Sequence, residues 1–470
     1  MTLPAYPAYK DSGVEWLGKV PEHWAVHTLK RAIAQIESGT SVNAADFPAE
    51  PGSFGVLKTS CVYTGEFDWT ENKTVDDADI GRVSCPLRVN TLIVSRMNTP
   101  DLVGATGLVT EAPEGIFLPD RLWQIYFSSS HSPEFIFYFT KSLEYREQVK
   151  IACSGTSSSM QNLGQDDFRC LLFAEPPRSE QIQIARFLDH ETARIDALIE
   201  EQQRLIKLLK EKRQAVISHA VTKGLDPTVP MKDSGVEWLG EVPAHWTVCT
   251  ARRVIRAIEQ GWSPECEAYP ADDEGWGVLK AGCVNRGVFD PSENKTLPPS
   301  LEPIAEYEVQ AGDILMSRAS GTPELVGSTA LLGEVRERLM LSDKIFRIHL
   351  ENKISSALFV WVMNAQFMRA QIEQALSGGN GMANNLPQSS LLAFWVVVPP
   401  DHEQDAIAEH IKLTVGKVDA LINEGSIAIG FLQERRSALI SAAVTGKIDV
   451  RGWQPAASRQ APQLAIAEAV

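Results

Sequence analysis

The stretch KDSGVEWLGKVPEHW at residues 10–24 occurs again as KDSGVEWLGEVPAHW at residues 232–246, displaced by 222 positions. The two stretches are identical at thirteen of fifteen positions. The match continues from FGVLKTSCVYTGEFDWTENKT at residues 54–74 to WGVLKAGCVNRGVFDPSENKT at residues 276–296. The chain is therefore a tandem duplication. Two copies of one unit can present two similar surfaces related by a rough two-fold axis, which suits a target that itself has two halves.

Each copy divides into a globular part and a helical part. A one-residue insertion after Ser95-Arg96 and Ser317-Arg318 shifts the displacement to 223, and the match then runs to the end of both copies. The first part of each copy is rich in Gly and Pro, with short apolar runs between turn signals, which favours a mixed domain with considerable strand. The last part of each copy has the pattern of one long helix.

Capping signals and apolar spacing define the two helices. Pro176-Pro177 precedes an N-cap candidate at Ser179, and Asp401 has Gln404 three residues on, a capping-box spacing. Gly224 and Gly446 stand where helices commonly stop. Apolar or small residues occupy heptad a and d positions in both helices: Ile184, Leu188, Ile195, Leu198, Leu205, Leu209 and Val216, with Ile407, Ile411, Val418, Leu421, Ala428, Leu432 and Leu439.

These patterns predict an α+β fold. It is a tandem repeat of two mixed α/β domains, each followed by a long helix, with the two helices pairing as an antiparallel coiled coil. The alternative is that each amphipathic helix packs only on its own domain. The predicted segments are a first globular domain at 1–177, a helix at 178–223, a linker at 224–231, a second globular domain at 232–400, a helix at 401–446 and a disordered tail at 447–470.

Composition limits the function classes. The net charge is −16, divided as −7 before Met231 and −9 from Met231 on, so neither copy is basic. This balance counts against nucleic-acid binding unless basic residues cluster or a partner subunit supplies phosphate contacts. Seven cysteines without a CxxC pair argue against a disulfide framework and a zinc site. No apolar run approaches the roughly 20 residues that span a bilayer, and no signal peptide is evident, so we expect no membrane contact and a cytoplasmic location.

The repeated motifs together resemble the specificity subunit of type I restriction-modification systems. Each variable globular half is entered through a DSGVEWLGxVPxHW box and followed by a Pro-Pro start to a long helix that ends near AVT and a glycine. The resemblance extends from about Lys10 to Asp449, and its specificity comes from several motifs that agree in order and spacing. Any one of these motifs alone would be weak.

The resemblance implies a non-catalytic protein that reads a bipartite site in double-stranded DNA. Each globular half would be a target-recognition domain for one half-site, and the paired helices would set the spacer. It also implies binding to two modification (methyltransferase) subunits and to restriction/translocase subunits. S-adenosylmethionine, ATP and Mg²⁺ would belong to those partner subunits, and no cofactor or metal is expected in this chain. The sequence contains neither a GxxxxGK[ST] phosphate loop nor an NPP[FY]-type stretch.

Candidate DNA contacts follow from comparing the copies. Polar residues kept in both copies suit a shared role on phosphates, and residues that differ suit base reading, since amides match adenine in the major groove. The differing Gly- and Ser-rich segments at 154–162 and 377–385 are predicted as loops that approach a groove. For all of these residues the alternative is a surface salt bridge or a simple connection. The candidates are Lys58, Arg96, Asn98, Ser154, Thr156, Gln161, Asn162, Lys280, Arg318, Ser320, Asn380, Asn384 and Asn385.

The repeated boxes are candidates for subunit docking. Trp16, Trp24, Trp238 and Trp246 combine large apolar surface with neighbouring Gly and Pro, as an interface patch would. The alternative is a packed clasp between globular domain and helix. His23 and His245 lie at no catalytic spacing and are expected to be structural.

Two other function classes remain open from the sequence. A self-sufficient methyltransferase or nuclease would need a cofactor loop or a carboxylate group repeated in both copies, but Asp76-Asp77 aligns with Pro298-Pro299. A coiled-coil adaptor that binds only proteins would suit the acidic charge, and its binding would lack steep salt dependence.

Overall fold

The computed structural model describes residues 4–157, 160–376 and 384–455, without the side chains of residues 154–157. It divides into two units. Unit 1 comprises the described residues of Met1–Gln202 and Ile427–Val470, and unit 2 comprises those of Gln203–Ser426. Each long helix therefore contributes one part to unit 1 and another to unit 2.

The globular part of unit 1 is built on two four-stranded sheets, ordered β10-β8-β12-β4 and β11-β6-β7-β5. Strand β8 is buried along its whole length, as expected of a strand in the interior of a sheet. The strands of unit 1 are β1 Tyr9–Asp11, β2 Lys19–Pro21, β3 Ala25–Thr28, β4 Ile33–Ser38, β5 Ala44–Ala45, β6 Gly55–Leu57, β7 Asn72–Val75, β8 Leu92–Ser95, β9 Met97–Asn98, β10 Thr106–Leu108, β11 Ile116–Phe117, β12 Leu122–Phe127, β13 Ser154–Ser157, β14 Met160–Asn162 and β15 Leu172–Glu175.

Helices in unit 1 cover the first sheet, and two of them begin at serine caps. Ser132 accepts a hydrogen bond from the Phe135 backbone and Ser142 from the Tyr145 backbone, which satisfies free N–H groups of the first turn. The helices are α1 Pro133–Phe139, α2 Leu143–Ala152, α3 Gln165–Cys170 and the long α4 Arg178–Lys223.

Unit 2 repeats this architecture with a sheet ordered β19-β26-β22-β24 and a second sheet ordered β21-β20-β25. Its elements are β16 Met231–Asp233, β17 Glu241–Pro243, β18 Thr247–Thr250, β19 Ile255–Gln260, β20 Gly277–Leu279, β21 Asn294–Thr296, β22 Ile314–Ser317, β23 Ala319–Ser320, β24 Thr329–Leu331, β25 Leu339–Met340, β26 Ile345–Leu350, β27 Asn384–Asn385 and β28 Trp395–Val398, with helices α5 Ser356–Met363, α6 Gln366–Ala375, α7 Gln388–Ala393 and the long α8 Asp401–Val444.

The two long helices pair antiparallel, which confirms the predicted fold class. In unit 1, Arg436 donates to Asp196 (2.9 Å), and Ile440 and Val444 share a core cluster with the earlier residues Ile184 and Leu188. In unit 2, Arg213 donates to Asp419 (2.8 Å), and this pair is the repeat equivalent of the first. A rise of 1.5 Å per residue makes each helix about 65 Å long.

The heptad positions are buried only in part. Ile184 and Ile407, near the globular domains, are fully buried, but Leu198, Leu205 and Leu421 are about half exposed. Near its domain a helix packs on strands as well as on the other helix. In the middle of the helices the predicted seam contains Gln202 and Gly425, and these residues supply little apolar surface to cover the leucines.

The predicted disordered tail is wrong for its first part. Val450 is fully buried in the core of unit 1, and Trp453 packs edge-on against Phe187 with ring centroids 5.3 Å apart. Gln183 of α4 donates to the carbonyls of Val450 and Trp453. Residues 456–470 lie outside the described residues. Among the helices described, none is long and apolar enough to cross a membrane.

Candidate DNA interface and helix clasp

Two candidate segments distant in sequence join in one small sheet of unit 1. Strand β9 pairs antiparallel with β14, so that Asn98 lies opposite Gln161 and Met97 opposite Asn162. Strand β14 pairs in turn with β13, which contains the candidates Ser154 and Thr156. The segment 154–162 was predicted as a loop, and this prediction is wrong for its described part. Main-chain pairing with β9 extends it into strands.

Unit 2 repeats this pairing with different side chains. Ala319 lies opposite Asn385 and Ser320 opposite Asn384. Asn380 lies outside the described residues. Because residues opposite each other on paired strands share a face, Asn98 and Gln161 lie on one face in unit 1, and Ser320 and Asn384 lie on the equivalent face in unit 2. We call these two pairs the recognition faces.

Asn98 is held by an internal hydrogen-bond chain. Its side chain is buried, and its Nδ2 donates to the Tyr63 hydroxyl (2.7 Å) and to Ser95 Oγ (3.2 Å). The Tyr63 hydroxyl also bonds to Thr59 Oγ1 (2.7 Å), and the Tyr63 side chain is 38% exposed. Asn98 is therefore placed to position Tyr63, and the ring of Tyr63 reaches solvent.

Sequence reasoning missed Tyr63. The signal was present, since Thr59 and Tyr63 stand in a stretch that is otherwise kept between the copies, where unit 2 has Ala281 and Asn285. Unit 2 also has Ser320 at the position of Asn98. The differences thus fall together on residues that contact each other in unit 1.

Several polar atoms near the recognition faces lack a partner among the described residues. Arg96 Nε, Asn162 Oδ1 and Ser317 Oγ are buried without a hydrogen bond. Arg318 differs from Arg96, because its Nη1 donates to the Asp343 carbonyl (3.1 Å). Buried polar groups in native proteins are nearly always satisfied, so unpaired ones beside a candidate interface are open to a ligand or water.

The two candidate lysines form surface ion pairs. Lys58 Nζ is 3.5 Å from Asp46 Oδ1, which Lys73 also approaches at 3.2 Å. The hydrogen bond and charge of Lys73 lower the pKa of the exposed Asp46 carboxyl. Lys280 Nζ is 3.7 Å from Glu293 Oε2. These contacts match the salt-bridge alternative, and exposed pairs of this kind break at little cost.

The repeated boxes fasten each globular domain to the start of its long helix. We call the cluster of His23, Trp24 and Glu180, and its equivalent of His245, Trp246 and Glu403, the clasp of each unit. Trp24 Nε1 donates to Glu180 Oε1 (3.1 Å), and His23 Nε2 lies 2.9 Å from Glu180 Oε2. In unit 2, Trp246 Nε1 donates to Glu403 (3.0 Å), and His245 lies 2.6 Å from the same carboxylate. Each carboxylate stands in the first turn of its helix, where the free backbone N–H groups favour negative charge.

Burial changes the assignment of two docking candidates. Trp24 is fully buried and Trp246 is 1% exposed. Both belong to the clasp, and their indoles form no part of an exposed docking patch. Trp16 and Trp238 are 42% and 41% exposed, and Trp238 stacks on Phe367 with centroids 5.9 Å apart. The docking prediction therefore stays a prediction for Trp16 and Trp238.

The clasp of unit 1 is more enclosed than that of unit 2. The Tyr6 hydroxyl also donates to Glu180 Oε1, and the Arg451 guanidinium lies 4.9 Å above the Tyr6 ring. As a result the Glu180 side chain is 6% exposed, compared with 28% for Glu403. Unit 2 has Thr228 at the position of Tyr6, and its carboxylate accepts no such third hydrogen bond among those found in the described residues.

Comparison with known proteins matches this architecture to one class. No family model matches the chain. The EcoKI specificity subunit of Escherichia coli K12, a type I restriction enzyme component, is 22% identical over 454 residues, covering 93% of this chain and 91% of that protein. The putative MjaX specificity subunit of Methanocaldococcus jannaschii is 21% identical, with 93% and 96% covered. The EcoEI specificity subunit of Escherichia coli is 33% identical over 198 residues, and the alignment spans 33% of its length.

A solved structure supports the same fold. A chain described under the assembly and conformational transition of the type I R-M system superposes with a TM-score of 0.66 at 15% identity, covering 90% of this chain and 98% of that one. This chain is thus similar over nearly its whole length to type I restriction-modification specificity subunits, and it shares the fold of that solved structure. These relatives are named as specificity subunits, which favours a non-catalytic role over the self-sufficient enzyme that the sequence left open.

Proposed function

We propose that the two recognition faces each read one half of a bipartite site in double-stranded DNA. The observation that carries this proposal is the shared register, in which Asn98–Gln161 and Ser320–Asn384 occupy equivalent cross-strand positions with different side chains. If the two half-sites differ in sequence, the two domains need the same backbone arrangement with different polar side chains. Amide side chains such as Gln161 and Asn384 can bond an adenine edge through two atoms.

The antiparallel helices would set the distance between the half-sites. Within unit 1 the helices are joined by Asp196–Arg436, and within unit 2 by Arg213–Asp419. Both ion pairs fix the same alignment of the two helices, and a fixed alignment is needed if the helices set the spacer. The spacer length would therefore follow from the number of helical residues rather than from loop conformation.

Modification subunits would dock on apolar surface that the chain leaves exposed. Trp16 of unit 1 and Trp238 of unit 2 occupy equivalent places in the repeated boxes. Exposed apolar side chains on the helices, Leu198 and Phe431 in unit 1 and Leu208 and Leu421 in unit 2, add to this surface. The partner subunits would bring S-adenosylmethionine, ATP and Mg²⁺, and would share in neutralising DNA phosphates around this acidic chain.

Base reading can be tested by mapping methylation. The chain is co-expressed with its modification subunit, and N6-methyladenine is located across the host genome by single-molecule sequencing. We expect one bipartite motif that disappears when the chain is omitted. Gln161→Ala should relax only one half of the motif, and its matched control Asn384→Ala should relax only the other half, each by about 1–3 kcal/mol of discrimination.

A contrary result would favour the adaptor alternative. If the proteins co-purify but no motif appears, DNA reading by this chain is refuted. If a motif appears but both variants leave it intact, the recognition faces are assigned to the wrong residues.

A further inference from the structure

A cleft in unit 2 has an excess of basic residues and contains none of the residues of the recognition faces. Its volume is about 580 Å³, and it lies between helix α4, the turn at residues 285–288 and helix α6. Six charged residues line it, of which four are basic: Lys210, Arg213, Arg286 and Arg369, with Glu324 and Asp419. The lining residues thus have an excess of two positive charges, although Glu373, which is not among them, pairs with Arg369 at 3.2 Å, and the chain as a whole has a net charge of −16.

Two of the basic residues are fixed by partners. Arg213 donates to Asp419 (2.8 Å), and Arg369 Nη1 donates to the carbonyls of Glu324 (3.1 Å) and Val326 (2.6 Å). Arg369 Nη2 is buried without a hydrogen-bond partner among the described residues. These arginines give the cleft a rigid cationic wall.

The other two basic residues, Lys210 and Arg286, are exposed, and their side chains form no hydrogen bond or ion pair within the described parts of the chain. The backbone of Arg286 has a φ of 58°, in the left-handed region that costs a residue with a side chain about 1 kcal/mol or more. Left-handed backbone at a residue other than glycine is enriched at functional sites of proteins. Here the turn brings a free guanidinium to the same cleft as the free ammonium of Lys210.

The equivalent residues of unit 1 lack this charge excess. Lys210 and Arg286 correspond to Gln433 and Thr64, while Val288 corresponds to the acidic Glu66. Among these equivalent positions, unit 1 has one basic residue that unit 2 lacks, Lys141 at the position of Asn364. The Lys141 ammonium donates a hydrogen bond to Thr106. The two pairs Arg213–Asp419 and Arg436–Asp196 are kept, so the shared residues maintain the fold and the unshared ones create the charge.

We propose that this cleft of unit 2 binds a phosphate-bearing anion, with duplex DNA backbone as the favoured source. An anion would give Lys210 and Arg286 the partners that they lack, beside Arg213 and Arg369, which are already paired with Asp419 and Glu373. Arginine and lysine donors suit phosphate oxygens. The choice of DNA over a free nucleotide rests on the proposed function, whereas the anion site itself does not.

The test uses the full chain in complex with its modification subunit. Binding to a fluorescent 30-base-pair duplex of random sequence is measured between about 50 and 200 mM salt, where each phosphate contact contributes about 0.9 to the slope of log K against log salt. Lys210→Gln with Arg286→Thr, the residues of unit 1, should lower the slope by about 1 to 2. The charge-matched control is Lys207→Gln with Lys417→Gln, two exposed lysines outside the cleft in the same unit, which should change it little.

A second variant guards against loss of folding. Arg286→Gly relieves the left-handed backbone, so it should keep or raise the melting temperature while lowering the salt slope. In parallel, the melting temperature is measured with and without ATP. Protection by ATP that the control retains and the cleft variants lose would support the site and assign it to a free nucleotide. A slope that falls equally in cleft and control variants, or in neither, without any loss of ATP protection, would overturn the proposal.

Discussion

Removal of the clasp carboxylate should destabilise unit 1 more than unit 2. Glu180→Ala leaves two buried donors without an acceptor, the Tyr6 hydroxyl at 4% exposure and the Trp24 indole at 0%. Glu403→Ala leaves only the indole of Trp246 buried in this way. Both substitutions also remove an acidic group from the first turn of a helix, and both leave a half-exposed histidine without its carboxylate partner but within reach of water. These costs are common to the two variants and cancel in the comparison.

The magnitude follows from the number of stranded donors. A buried donor that loses its partner costs about 1–3 kcal/mol. Glu180→Ala should therefore cost about 2–6 kcal/mol through its donors, and Glu403→Ala about 1–3 kcal/mol. A difference of about 2 kcal/mol corresponds to a melting shift of roughly 4–8 °C for a unit of this size.

Calorimetry of the full chain would measure the melting temperatures, and hydrogen exchange in α4 and α8 would locate each effect. Tyr6→Phe combined with Glu180→Ala removes one stranded donor, so the double variant should recover most of the difference and approach Glu403→Ala. Equal costs for the two single alanine variants would refute the reasoning. So would a double variant no more stable than Glu180→Ala alone.

Three further predictions test the helices and the recognition face. Alanine at Asp196 or at Asp419 should each cost less than about 1 kcal/mol in urea unfolding, because both carboxylates of these helix pairs are about half exposed; a cost above 2 kcal/mol would contradict this. Gly446→Ala should destabilise unit 1 by about 1–3 kcal/mol by calorimetry, since φ is 74° and a Cβ would meet a proline ring at 2.4 Å; a neutral result would show that the turn can rearrange. Tyr63→Phe removes the acceptor of Asn98 Nδ2, so methylation mapping should show relaxation in one half of the motif only, and relaxation of both halves or neither would argue against a positioning role.

Much of the fold was predictable because a duplication supplies its own comparison. The extent of the long helices follows from apolar spacing between flanking Pro and Gly residues, but the N-cap candidate Ser179 lies inside α4, which begins at Arg178. The candidate site was predicted less completely. Pairing of β9 with β14 joins residues 97–98 to residues 160–162, and no local pattern indicates which distant segment a two-residue strand will select.

The clasp shows the same limit. Trp24 and Trp246 have the composition of an interface patch, yet both are buried in the cores of their units, and each donates to a carboxylate more than 150 residues away in the chain. Side-chain type indicates how much apolar surface a residue has. It does not indicate whether the chain itself or a partner covers that surface.

The sequence by itself determined that the chain holds two copies of one unit, that each copy ends in a long amphipathic helix, and that the copies differ in selected polar residues. These properties depend on residues near each other in the chain or related by the repeat. Only the tertiary structure decided which polar residues share a face, why Glu180 is more enclosed than Glu403, and that Lys210 meets Arg286 at one cleft. Each of these depends on contacts between distant segments, which packing of the whole unit selects.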